Sequence, residues 1–101
     1  MRAQTSLKKT LQERGYQVTS DPEVIYWHEM FRRSLALRAG IDPRDRNRRK
    51  PVMLRRGAET IVVEYDYGRG GWLAWNDGGD IIAHERTKFD TLLKVCYGRA
   101  D

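Results

Sequence analysis

The chain has 101 residues, a net charge of +5 and one cysteine, which bounds it to a single domain with one core and excludes an internal disulfide framework. Its apolar runs are only a few residues long, and the opening MRAQTSLKKT is polar where a secretory leader is apolar, so a cytoplasmic chain that neither spans nor leaves a membrane is expected. No set of Cys and His has zinc-ligand spacing, and neither a metal nor a cofactor is expected.

The first element predicted is a short helix in SLKKTLQERG, with Leu7 and Leu11 one turn apart and Thr5 or Ser6 as its cap. Gly15 is placed to stop it in the left-handed conformation, which folds Tyr16 back on Leu11. YQVTS then reads as a connector or a brief edge strand. Asp21-Pro22-Glu23 opens a second helix with a cap, a proline at the first helical position and an acid at the positive end of the dipole. From there Val24, Trp27, His28, Phe31 and Leu35 form one apolar stripe, predicting a helix from about Pro22 to Ala39 that ends at Gly40.

The middle quarter is where the charge collects. Between Arg32 and Arg56 lie ten cations (Arg32, Arg33, Arg38, Arg44, Arg46, Arg48, Arg49, Lys50, Arg55 and Arg56) against two acids, Asp42 and Asp45, so the rest of the chain is net acidic. A block of this kind raises self-repulsion, which a surface selected for stability alone would avoid, and it reads as an interaction surface. Nine of the ten are arginine, whose planar fork grips phosphate or carboxylate with two hydrogen bonds. The loop 42–51 at its centre is expected to be flexible, and the composition without Phe, Trp or Leu argues against insertion among lipids.

After the loop the period falls to two. VMLRR, ETIVVEYD, GWLAWN and DIIAHE are four strand-like runs separated by GA, YGRG and DGG, which predicts an antiparallel meander with one covered face. Thr87-x-x-Asp90 then starts a third helix with Phe89, Leu92, Leu93 and Cys96 on one face, ending at Gly98. The fold class expected is α+β: two N-terminal helices, a four-stranded antiparallel β-meander and a C-terminal covering helix.

No catalytic residue is assigned. His28 and His84 are far apart in the chain, and each is followed by a glutamate that points to a different face, so neither His-Glu pair cooperates locally. Asp77 and Asp80 in NDGGD read as hairpin-turn residues before they read as cation ligands. Glu64 and Asp66 complete a crude four-acid grouping, without the acid-x-Lys pair of a metal nuclease. Cys96 reads as a buried, inert thiol.

Trp72 and Trp75 are an odd number of steps apart and face opposite sides of their strand, Ala74 going with Trp72 and Leu73 with Trp75. With one covered face, one is core and the other is left at the surface, and the sequence does not say which; with three helices available, two covered faces are as consistent with it and leave neither outside. Tyr67 and Trp75 are the aromatic anchors considered. The run LRRGAETIVVEYDYGRGGWLAWNDGGDII resembles the sheet and Gly-Gly-Asp turn of primase-type zinc-ribbon domains. The Cys/His ligands of that family are absent, so the resemblance implies no site.

The function expected is non-enzymatic binding of nucleic acid or a nucleoprotein complex through the arginine-rich surface. Two alternatives stand beside it: a small inhibitor or adaptor of the phage or mobile-element type, such as an anti-defence protein, that docks on an acidic protein surface; and a small ribonuclease or toxin using His84 or Glu85.

Overall fold

The computed structural model describes residues 2–28 and 33–98. It is an α+β fold in which α1 (Arg2–Glu13), β1 (Gln17–Thr19), α2 (Pro22–Tyr26) and α3 (Leu35–Arg38) precede β2 (Val52–Arg56), β3 (Glu59–Tyr65), β4 (Trp72–Asn76), β5 (Ile81–Glu85) and α4 (Lys88–Tyr97). All strands pair antiparallel in the order β1-β2-β3-β4-β5. The sheet therefore has five strands where four were expected. The addition is Gln17–Thr19, which pairs with Met53 to Arg55 along the open edge of β2. None of the described helices is long and apolar enough to cross a membrane.

The helix stops follow local chemistry. At the end of α1 the Tyr16 N–H reaches the Leu11 carbonyl and the Gly15 N–H reaches that of Gln12, both at 3.0 Å. Gly15 has φ +94°, so the paired bonds close around a residue without a Cβ. Tyr16 is thereby laid into the same core as Leu11. At the start of α4 the Thr87 hydroxyl accepts from the Asp90 N–H at 3.0 Å, giving that helix its cap.

The long second helix does not form. In its place stand two short helices, α2 and α3, with part of the connection, including Phe31, outside the described residues. Ser34 is extended, at φ −62° and ψ 127°, and caps α3 through its hydroxyl, so no continuous helix passes through it. The buried pair on α2 is Ile25 and Tyr26, whereas Val24 and Trp27, placed on the apolar stripe by spacing, are 51% and 70% exposed. A straight helix sends one stripe toward the sheet; a broken segment bends a different set of side chains onto it.

Both faces of the sheet are covered, the second of the two arrangements that the sequence leaves open. α1 and α4 pack Leu7, Leu11, Val95 and Cys96 on Leu54, Ile61, Val63 and Ala74. On the opposite face Ile25 of α2 and Leu35 of α3 cover Met53, Val62, Leu73 and Trp75. Consequently β3 is buried at every position between its two ends. The β4 alternation is as the spacing dictates: Trp72 and Ala74 face the first layer, Leu73 and Trp75 the second.

Candidate nucleic-acid interface

Strand direction decides which cations meet. The registers Val52↔Val63, Tyr65↔Trp72 and Trp72↔Glu85 bring the start of β2, the end of β3, the start of β4 and the end of β5 to one end of the sheet. Loop 42–51 enters there, as do the β3–β4 turn and the first residues of α4. Arg55 and Arg56 finish β2 at the opposite end, roughly 13 Å along the strand from Val52. They do not join the loop: Arg55 lies opposite Gln17 and Thr60, and the Arg56 guanidinium stands 4.2 Å over the Tyr16 ring and pairs with Glu59 at 3.2 Å.

Arg33 donates to the Asp77 carbonyl in the β4–β5 turn, also at that far end. With Arg38 it borders a groove of about 310 Å³ floored by Leu35, Leu73 and Trp75. Arg32 lies outside the described residues. The ten cations of the middle quarter are therefore divided, and the loop group keeps Arg44, Arg46, Arg48, Arg49 and Lys50. Topology adds three that charge counting along the chain missed: Arg69 on the β3–β4 turn, Arg86 after β5 and Lys88 at the start of α4. The signal that finds them is the hairpin register, since the predicted strand ends already imply their proximity.

The loop is built from two successive turns. The Asp42 carboxylate accepts from the Arg44 N–H and the Asp45 carboxylate from the Asn47 N–H, both at 2.9 Å. The two acids within the block thus shape its backbone. Asp42 also meets the Arg44 guanidinium at 3.3 Å; the backbone bond first, and then that contact, holds its carboxyl below the usual range. Arg44, Arg46, Arg48 and Lys50 line an open concavity of about 490 Å³ that Asp21, Glu23 and Asp45 share. Arg48 donates to the Asp45 carbonyl, and its buried Nε has no acceptor among the described residues.

Arg49 and Lys88 are seated on aromatic rings. The Arg49 N–H donates to the Tyr67 hydroxyl at 3.1 Å, and its guanidinium lies 4.2 Å from the Tyr65 ring centroid. Tyr65 in turn meets Tyr67 edge-on at 4.9 Å and Trp72 at 5.6 Å. Lys88 donates to the Lys50 carbonyl at 3.0 Å and sits 5.1 Å over the Trp72 ring. Burial first, and then the neighbouring Lys50 charge, pulls the Lys88 ammonium below its ordinary value. Tyr67 is thus part of this cluster. Trp75 is not: it is 4% exposed in the opposite layer, and its indole N–H donates to Glu64 at 2.7 Å. Trp72 takes the position at the surface cluster.

The acids do not assemble. Glu64 is buried behind α3, accepting from Ser34, Leu35, Ala36 and Trp75. Asp66 folds the β3–β4 turn by accepting from the Gly68 and Arg69 N–H groups at 3.0 Å, while Asp77 and Asp80 occupy the far turn. Among the described residues no three acidic, histidine or cysteine side chains are grouped to hold a metal ion. His84 and Glu85 line one shallow depression with Arg69 and Arg86. The His84 Nε2 is 3.0 Å from the Gly70 carbonyl and 3.9 Å from the Asp66 carboxylate, and Glu85 is drawn to Lys94 at 3.7 Å. Cys96 is buried, which pushes its thiol pKa up.

Compared with protein-family models, curated proteins and solved structures, the chain matches none of them. The likeness of its hairpins to primase-type zinc ribbons rests on turn residues alone.

Proposed function

We propose that the protein binds nucleic acid at the loop end of the sheet, mainly through phosphate contacts. The observation that carries this reading is the seating of Arg49 on Tyr65 and of Lys88 on Trp72, tied to the loop by the Arg49 N–H bond to the Tyr67 hydroxyl and the Lys88 bond to the Lys50 carbonyl, with Arg46, Arg69 and Arg86 exposed at the same end. Cations beside half-exposed rings combine the two attractions that single strands and loops use, charge and stacking. Arginines on turns supply charge without the fixed geometry of base-edge reading, so little sequence preference is expected.

The test is a titration of labelled duplex and single strand at several salt concentrations. If about five cations displace counterions, the logarithmic slope is about −4.5 on duplex, a loss of roughly 500-fold between 50 and 200 mM salt. Replacing Arg46, Arg48, Arg49 and Lys50 with serine abolishes binding, whereas Arg55→Ser at the far end leaves it intact. A flat salt response removes nucleic acid as the partner.

One observation favours the adaptor reading. Val24 on α2 and Trp27 at its C-terminal cap are exposed, the first residues of α2 border the basic concavity, and an apolar anchor beside cations is a common protein-docking arrangement. Under that reading a partner with an acidic face stays bound after nuclease treatment, and Trp27→Ala releases it.

A further inference from the structure

We infer that this surface takes unpaired strands, stacking one base on the outer face of the Arg49 guanidinium; the inference rests on the nucleic-acid reading above and narrows it to single strands. Three observations converge on Arg49. Its guanidinium is 4.2 Å from the Tyr65 centroid, and the Tyr65 ring is itself held by edge contacts with Tyr67 and Trp72 at interplanar angles of 77° and 74°. The root of the side chain is pinned by its N–H bond to the Tyr67 hydroxyl. The residue is nevertheless exposed, and none of the ion pairs among the described residues uses it.

A planar cation held against one ring leaves its other face for a second π-system, and unpaired nucleobases stack on guanidinium planes as they do on aromatic rings. Bases within a duplex have both faces covered by their neighbours and offer none to Arg49. Lys50 and Lys88, tied together by the bond to the Lys50 carbonyl, place ammonium charge beside the platform for the adjoining phosphates. Lysine at position 49 would keep the charge and lose the plane.

The experiment measures fluorescence anisotropy at 50 mM salt with three labelled probes: a twelve-residue thymidine strand, an abasic strand with the same phosphates, and a duplex of twelve base pairs. The thymidine strand is expected to bind about tenfold more tightly than the abasic one, in line with one stacked base, and Arg49→Lys is expected to bring that ratio toward one, a ratio in which any loss of phosphate contact shared by both strands cancels. Equal affinity for thymidine and abasic strands in the unaltered protein overturns the stacking platform, a comparison that needs no variant to fold. Tighter binding of the duplex than of the thymidine strand overturns it as well. In either case salt-dependent binding lost in the serine variant leaves the phosphate reading standing; if no probe binds, both fall.

Discussion

Glu64 shows how one side chain can be in the right place for an unexpected reason. Alternation along β3 puts it on the face opposite Ile61 and Val63, and that face turned out to be covered, leaving the carboxyl 1% exposed. Its Oε1 takes the Ser34 hydroxyl and the Ala36 N–H; its Oε2 takes the Leu35 N–H and the Trp75 indole. Every partner donates, which suits an acceptor-only carboxylate. Glu64→Gln sets an amide NH₂ against two donors in either orientation and should cost about 2 kcal/mol, read as a lower urea midpoint at unchanged slope. Tyr26, beside it, has its pKa pushed up to about 12, by burial first and the Glu64 charge second. The unfolded chain therefore ionises this phenol earlier than the folded one. Its contribution to stability is complete below pH 10 and is lost as pH rises toward about 12. Absorbance at alkaline pH should show this tyrosine ionising late, and Tyr26→Phe should flatten the alkaline decline in stability.

At the scale of the element, the signals that act within four or five residues were legible and those that depend on a distant partner were not. The stop at Gly15, the cap at Asp21 and the start at Thr87 each need only neighbouring backbone, and each is found. Thr87→Ala removes the acceptor for the Asp90 N–H and should lower stability by about 1 kcal/mol in denaturant unfolding, with the rest of the fold intact. The second helix failed because its continuation competed with Glu64, 30 positions from Ser34. A buried carboxylate that needs donors favours a fresh helix start at Ser34 over an unbroken run whose N–H groups are already spent. The Gln17–Thr19 strand was ambiguous for a related reason: three residues carry little period, and pairing with β2 decides them.

For the whole molecule, the charge distribution along the chain and the charge distribution in space are different objects. Counting along the sequence joined Arg55 and Arg56 to the loop and left out Arg69, Arg86 and Lys88. The antiparallel register reverses both assignments, because each hairpin returns the chain to the end it came from. The salt-slope measurement and the Arg55→Ser control belong to this scale, since they ask whether one end of the sheet acts as a unit. Period, turn residues and capping act within a few positions, and they suffice for the α+β class, the strands β2 to β5, the helix signals at Gly15 and Thr87, and the existence of a cationic loop. Long-range packing was needed to show that both sheet faces are covered, that Trp75 is core while Trp72 joins the surface cluster, and which cations stand beside Tyr65 and Tyr67. Those outcomes depend on pairings between residues far apart in the chain, whose register and layer are set by the packing of the whole core.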